Sequence, residues 1–191
     1  MQTKNTPKDQ PAGLKPGSKL GLKLDMARLD AARHDLKDGA VTPAYGPWRE
    51  DIIELLNGAL ATELICVLRY RRHHFTADGL ASAKIKEEFL VHANEELGHA
   101  DRIAERIVQL GGEPNFHPEG LLSRGHADYD ESKDLTSMIK ANLVAERVAI
   151  DSYRQMVELI GDKDNTTRRM LEAIQADEEM HADELKDWLE R

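Results

Sequence analysis

Two copies of a Glu-x-x-His motif are the residues of this chain best suited to chemistry. One copy contains Glu96 and His99, and the other contains Glu178 and His181. Both lie in long stretches of helical periodicity, and residues three apart on a helix are neighbours on its surface. Each motif can therefore bring a carboxylate and an imidazole to one point in space. Carboxylate oxygen and imidazole nitrogen together are typical ligands of iron, manganese and zinc.

Two further glutamates, Glu63 and Glu146, fall in the apolar stripes of two other helical stretches. The motif residues lie in equivalent stripes, of the kind that a helix turns towards a core. Burying an unpaired carboxylate costs on the order of several kcal/mol. Four carboxylates would balance two divalent metal ions, with the two imidazoles as neutral ligands. The alternative is that all six are solvated surface groups that coincide with the stripes, and six such coincidences favour the di-metal interpretation.

The same ligand set recurs as an internal repeat. Glu96 follows Glu63 by 33 positions, and Glu178 follows Glu146 by 32. Each half of the chain is therefore predicted to be a helical hairpin. Its first helix supplies one glutamate, and its second supplies Glu-x-x-His. This arrangement resembles that of the ferritin-like di-iron and di-manganese carboxylate proteins.

The resemblance extends beyond the ligands, to the bacterioferritins. The run EELGHADRIAERIVQLGGEPN at positions 95–115 is similar to their second helix, and residues 176–190 are similar to their fourth. Residues 48–191 are covered by this similarity. It implies a ferritin-like four-helix bundle.

Hydrophobic periodicity and turn residues predict an all-α fold with four long helices, at about residues 48–75, 82–110, 134–160 and 165–191. Residues 113–133, which contain several Pro and Gly, are predicted to form an irregular connection. Because the second and third helices would run parallel, this connection must travel the length of the bundle. One long crossover between two tight hairpins is the ferritin-like connectivity.

Residues 1–47 are predicted to be an extension that precedes the 48–191 bundle. Residues 1–24 contain five lysines and one acid, with several Pro and Gly, which favours a flexible arm. This arm either contacts DNA non-specifically through its lysines or is a solvated segment that packs on a neighbouring subunit. A short amphipathic helix at 25–37 is expected to lie on the bundle or on another subunit, and residues 39–46 are expected to form a linker.

Bulk composition limits the classes of function. The formal net charge of −9 argues against a body that coats nucleic acid. The single cysteine, Cys66, excludes an internal disulfide framework and fits a reducing compartment. No apolar run is long enough to span a membrane, and the N-terminus lacks the apolar region of a signal peptide. The expected location is cytoplasmic, without membrane contact.

Similarity to bacterioferritins implies a ferroxidase centre with two iron ions per subunit, although manganese or zinc would also fit the donors. Fe(II) would be oxidised by O₂ or H₂O₂, and the ferric product would pass into an oligomeric shell as mineral. Glu96 and Glu178, or the glutamates of the first hairpin helices, would bridge the metals, and each histidine would cap one. The implied ligands are Glu63, Glu96, His99, Glu146, Glu178 and His181.

Four further residues lie near the predicted centre, and their roles stay open. Tyr70 and Tyr153 each follow a predicted ligand by seven residues. The resemblance gives Tyr70 a bacterioferritin counterpart beside the iron pair, and Tyr70 is counted with the catalytic residues. The position of Tyr153 near the centre is inferred from its spacing alone. Each hydroxyl either bonds a ligand carboxylate or transfers electrons, or each ring is a core aromatic. His92 is an accessory iron ligand, or a histidine that supports the ligands or packs in the core, and Cys66 is a buried apolar residue or has a metal or redox role.

The remaining histidines are expected at the surface: His34, His73, His74, His117 and His126.

The sequence also differs from those of bacterioferritins. Leu97 stands where bacterioferritins have the methionine that binds haem, so no haem is expected. The short fifth helix of bacterioferritins is not expected here, a feature shared with Dps, the mini-ferritins of twelve-subunit shells. The chain resembles Dps-like proteins with a bacterioferritin-type centre, although the cysteine pair of that group is absent. A homo-oligomer is predicted, a dodecamer in preference to a 24-mer.

Two other functions remain open from the sequence. A di-manganese catalase or a rubrerythrin-like peroxidase could use the same six ligands, although no Cys-x-x-Cys pair is present. A Dps-like DNA-protecting protein would depend on the lysine-rich arm alone. Ferroxidation with iron storage is the function that the residues favour.

Overall fold

A computed structural model of the chain describes residues 23–79 and 82–190. Within these residues the fold consists of helices and connections without any strand, which confirms the predicted all-α class. The helices are α1 (Met26–His34), α2 (Arg49–Thr76), α3 (Ser82–Gln109), α4 (Leu121–Arg124), α5 (Leu135–Ile160) and α6 (Asn165–Glu190). None of these helices is both long enough and apolar enough to cross a membrane.

The four long helices form two hairpins, α2 with α3 and α5 with α6. Their ends lie within one residue of the positions predicted from periodicity and turn residues. The buried faces make two apolar clusters, one that includes Leu56 and Ile103 and another that includes Phe89 and Met138. The predicted metal ligands occupy the stretch of each helix between the two clusters. The clusters therefore hold the helices together on both sides of the polar residues.

The connection from α3 to α5 runs alongside α2. Near its start, Asn115 N–H donates to Asn57 Oδ1 at 2.8 Å, and further along His126 N–H donates to Thr62 Oγ1 at 2.9 Å. Towards its end, Arg72 donates to two backbone carbonyls at 3.0 and 2.9 Å. The order of these contacts shows that the connection follows α2 along the bundle, as predicted. The short α4 helix within it is not predicted by the sequence pattern.

The N-terminal part of the described chain differs from the prediction. The α1 helix contains no buried residue, and its apolar Met26 and Leu29 are exposed. The expectation that it packs on this bundle is therefore wrong, and packing on another copy stays a prediction. In contrast, Val41 and Tyr45 of the expected linker pack against the apolar core. The prediction of a flexible, DNA-contacting arm falls almost wholly on residues 1–22, which lie outside the described residues.

Asp164 connects the turn before α6 to α3 and to the docked N-terminal segment. Its carboxylate accepts hydrogen bonds from Thr167 N–H at 2.9 Å, Arg106 Nη2 at 2.9 Å and Tyr45 Oη at 2.7 Å. Asp164 therefore caps α6 and pairs with a buried guanidinium. Burial opposes the charged carboxylate, but the hydrogen bonds outweigh it and hold the pKa of Asp164 at about 2.

Replacing Asp164 is expected to destabilise the bundle strongly. Asp164→Ala should lower the free energy of unfolding by about 3 kcal/mol, because it leaves the Arg106 charge buried without a partner and removes a helix cap. Asp162→Ala is the control, since Asp162 pairs with Arg168 at 2.9 Å but its side chain is 97% exposed. Urea unfolding followed by circular dichroism should leave the control at the wild-type midpoint. Equal losses in the two variants would contradict this role.

Candidate metal centre

The structure brings the six predicted ligands together in the interior of the four-helix bundle. Each long helix contributes at least one of them, and all six are buried, with at most 4% of any residue exposed. They lie on α2 (Glu63), α3 (Glu96 and His99), α5 (Glu146) and α6 (Glu178 and His181). The helical stripe that carries the ligands also carries the core residues, and this places the polar groups inside.

The ligand atoms fall into two overlapping groups of four, and within each group all atoms lie within 4.8 Å of one another. Glu96 and Glu178 belong to both groups. Each group is completed by one more glutamate and one histidine, namely Glu63 with His99 and Glu146 with His181. Because Glu96 and Glu178 belong to both groups, they are the two carboxylates that would be able to contact two bound metals.

Every one of the six side chains has at least one buried polar atom without a hydrogen-bond partner. These atoms are Glu63 Oε2, Glu96 Oε1, His99 Nδ1, Glu146 Oε2, both Glu178 carboxylate oxygens and His181 Nδ1. A buried unsatisfied atom costs about 1–3 kcal/mol, and more when the group is charged. Facing lone pairs require a positive charge between them. Oxygen donors with one imidazole nitrogen per group fit two ions of iron, manganese or zinc.

Both imidazole rings are oriented by an acid from the opposite hairpin. His99 Nε2 donates to Asp177 Oδ2 at 3.2 Å, and His181 Nε2 donates to Glu95 Oε2 at 2.9 Å. The Nδ1 atoms are left to face the centre, as in metal-bound histidines whose other nitrogen bonds a carboxylate. Neither acid is predicted from the sequence. The available signal is that each immediately precedes the glutamate of a Glu-x-x-His motif.

Two buried tyrosines hold the glutamates of the first hairpin helices. Tyr70 Oη donates to Glu146 Oε1, and Tyr153 Oη donates to Glu63 Oε1. Each hydrogen bond crosses from one hairpin to the other, so the two contacts are related by the internal repeat. Burial, and after it repulsion from nearby carboxylates, raises the pKa of both phenols and keeps them as donors. Tyr153, which spacing alone suggested, thus has the same kind of contact as Tyr70.

In the absence of metal, protons supply the positive charge of the centre. Burial, followed by repulsion from Glu96, raises the pKa of Glu63 to about 8 and that of Glu146 well above its usual range. Burial opposes the charged imidazoles, but the glutamate carboxylates that face their Nδ1 atoms, such as Glu178 Oε1 at 3.0 Å from His99 Nδ1, outweigh it. They raise the pKa of His181 to about 11 and also raise that of His99. Metals and protons therefore compete for the same atoms.

The metal-free protein is expected to lose thermal stability between about pH 6 and about pH 9. The folded-state pKa values of Glu63 (about 8) and His181 (about 11) lie above the unfolded ones, so their protonated forms stabilise the fold and that contribution falls as pH rises. The lowered pKa of Glu96 acts in the opposite sense, below its ordinary value of 4.5.

Zinc-loaded protein should not show this decline, because the metal replaces the protons. Thermal unfolding of chelator-treated and zinc-loaded protein, followed by circular dichroism across this pH range, measures both curves. Parallel curves for the two forms would contradict the competition between metal and protons.

His92 and Cys66 are both buried next to the centre. The His92 ring stacks on His181 with ring centroids 4.2 Å apart, and its Nδ1 lies 3.2 Å from Tyr70 Oη. The Cys66 thiol accepts a hydrogen bond from Arg69 Nη2 at 3.4 Å, and burial raises its pKa. A protonated thiol held in this way matches the interpretation of Cys66 as a buried apolar residue.

The expectation of a surface position is wrong for His73, which is fully buried. Asn142 Nδ2 donates to His73 Nδ1 at 3.0 Å, and His73 Nε2 lies 3.2 Å from Asp130 Oδ1 on the crossover. Arg69 Nε donates to the same asparagine at 2.7 Å. The crossover covers this end of α2, and that tertiary contact is invisible in the local sequence. His74 is half-buried, whereas the other three are exposed, as predicted: His34, His117 and His126.

A family model described as a ferritin-like domain matches residues 53–191. The chain belongs to the ferritin-like family. The match includes all six predicted ligand residues, and it confirms the family predicted from the ligand repeat.

The chain is similar to the bacterioferritins of two species. The bacterioferritin of Streptomyces coelicolor is 32% identical over 141 residues, which are 73% of this chain and 80% of that protein. The bacterioferritin of Desulfovibrio desulfuricans is 30% identical over 138 residues, 70% of this chain and 73% of that protein. A bacterioferritin structure from that species, solved with its diiron site in different catalytic states, has a TM-score of 0.66 at 24% identity, covering 74% of this chain and 80% of that one.

A dodecameric thioferritin of Bacteroides fragilis, described as bacterioferritin-related, is also similar. It is 33% identical with a TM-score of 0.71, and the match covers 74% of this chain and 85% of that one. The bundle with one long crossover is therefore confirmed as ferritin-like.

Proposed function

We propose that the chain is a ferroxidase that oxidises Fe(II) at a di-iron centre and stores the ferric product in an oligomeric shell. The supporting observation is the set of six buried side chains, each with an unsatisfied donor atom, in two groups that share Glu96 and Glu178. Membership of the ferritin-like family supports iron storage and oxidation in general. The diiron site of the Desulfovibrio desulfuricans bacterioferritin supports iron as the metal.

Each residue of the centre has a distinct part in this function. Bound iron would supply electrons to O₂ or H₂O₂. Glu96 and Glu178 would hold both ions, and the remaining ligands would hold one each: Glu63, His99, Glu146 and His181. The carboxylates offset the charge that iron gains on oxidation. Their fixed positions mean that little reorganisation accompanies the change.

The surrounding hydrogen bonds hold these ligands in place. Asp177 and Glu95 keep the proton of each imidazole on Nε2, so that Nδ1 is free to bind. Tyr70 and Tyr153 each donate to one terminal carboxylate and leave its other oxygen for the metal. The comparisons do not favour the catalase, peroxidase or DNA-protecting alternatives.

Aerobic addition of Fe(II) to the purified protein tests this function. The ferric absorbance should rise much faster than in buffer, and Glu96→Ala should slow it on the order of 100-fold or more because both metals lose a ligand. Glu105→Ala is the matched control, since Glu105 is exposed on the same helix. Equal rates in the two variants would refute the centre. Rapid O₂ release from H₂O₂ without stored iron would identify a catalase instead.

The proposed assembly is a closed shell of twelve copies, and the dodecameric relative at 33% identity supports this number over twenty-four. Analytical ultracentrifugation is expected to give the mass of twelve chains of 21.5 kDa each. A mass of twenty-four chains would correct the number, and a dimer would refute a closed shell.

A further inference from the structure

A third cluster of metal-ligating side chains lies beside the centre. Glu88 and His92 are one turn apart on α3, and Glu184 faces them from α6. His92 Nε2 is 3.0 Å from Glu184 Oε2 and 4.0 Å from Glu88 Oε1. One ligand atom from each residue lies within 4.8 Å of the other two. None of the three is among the six residues of the buried centre.

The Tyr70–Glu146 hydrogen bond favours the tautomer of His92 that carries its proton on Nδ1. With Tyr70 donating to Glu146, the phenol oxygen is free to accept a hydrogen bond from His92 Nδ1, 3.2 Å away. A neutral imidazole protonated at Nδ1 has a lone pair at Nε2. In this tautomer the lone pair points at two carboxylates, and three acceptors cannot hydrogen-bond one another. A cation between them would satisfy all three.

The shape of the cluster suits a metal ion that enters from solvent. His92 is fully buried and fixed by its stacking on His181, whereas the Glu88 and Glu184 side chains are 29% and 44% exposed. Ligand atoms around one first-row dication, with bonds of about 2.1 Å, lie about 3–4 Å apart. The separations of 3.0 and 4.0 Å from His92 Nε2 fall in this range.

The cluster also breaks the internal repeat. The positions of the second hairpin that correspond to Glu88 and His92 are Met170 and Ile174, and the first-hairpin position that corresponds to Glu184 is Arg102. These side chains cannot hold a dication, so the repeat does not generate a second copy. The three ligating residues are thus an addition on one side of an otherwise symmetric centre.

We propose that Glu88, His92 and Glu184 form a third divalent-cation site, which takes Fe(II), Mn(II) or Zn(II) through one nitrogen and two carboxylate oxygens. Water completes the coordination on the exposed side. His92, which would hold the ion, stacks on the ring of His181, a residue of the buried centre. Binding at this site does not depend on whether the buried centre oxidises iron. The competing explanation is a metal-free ion pair between a charged His92 and Glu184.

Zinc titration of the metal-free, full-length protein distinguishes these explanations. Calorimetry, with zinc counted by elemental analysis after gel filtration, should give three ions per chain for the wild type. The Glu88→Gln/Glu184→Gln variant should bind two. The matched control Glu87→Gln/Asp183→Asn removes two exposed acids from neighbouring positions of the same helices and should keep three.

Two zinc ions in the wild type, three in the Glu88→Gln/Glu184→Gln variant, or loss of the third ion from the control would each overturn the site. If the double variant fails to fold by circular dichroism, Glu184→Gln alone is used, and it should weaken the third site about tenfold or more. Undiminished affinity in that variant would also overturn it.

Glu96→Ala separates this site from the proposed function. This variant should lose zinc from the buried centre and keep the outer ion. Retention of the outer ion by a wild-type protein that does not oxidise Fe(II) would support the third site and refute only the ferroxidase function. Loss of the outer ion together with the buried ions would count against an independent site.

Discussion

The structure depends on the balance between buried negative charge and the cations that neutralise it. Four carboxylates in an interior closed off by apolar clusters cannot be hydrated, so protons or metals must take the place of water. In the metal-free protein, the pKa values of Glu63, Glu146 and both imidazoles are raised, so these groups keep protons that reduce the buried negative charge. The same burial that makes the empty centre unfavourable would favour the binding of two dications.

The contacts that orient the ligands cross between the hairpins. Tyr70 of the first hairpin holds Glu146 of the second, and Asp177 of the second holds His99 of the first. Each hairpin therefore completes the ligands of the other, and the centre exists only when both are docked. Features far from these residues, such as the long crossover along α2 and the Asp164 cap that joins α6 to α3, stabilise that docking.

Around this symmetric centre the chain is asymmetric. One side carries Glu88, His92 and Glu184, whereas the equivalent positions on the other side carry apolar or basic residues. An internal repeat preserves what both halves need, here the glutamates and the Glu-x-x-His motifs. Departures from the repeat indicate a role that only one half of the chain has. The solvent-facing cluster of Glu88, His92 and Glu184 beside the buried centre is such a departure.

The sequence by itself determined the helix boundaries and the candidate ligands, because both follow from local periodicity. A stripe at helical spacing turns Glu63, Glu96 and Glu178 to the same side as the core residues, whatever their partners are. Turn residues and caps end the helices close to where they are observed. The length of the crossover followed from the same reasoning, since parallel helices must be joined over the whole bundle.

Only the tertiary structure decided how the hairpins are rotated and docked against each other. That rotation places Asp177 and Glu95 on the imidazoles, buries His73 beneath the crossover and makes Glu96 and Glu178 the shared carboxylates. These contacts join residues that are distant in the chain, and their energies depend on distances of a few ångströms between helices. Local spacing shows which face of a helix a side chain occupies, but not which atom of another helix it meets.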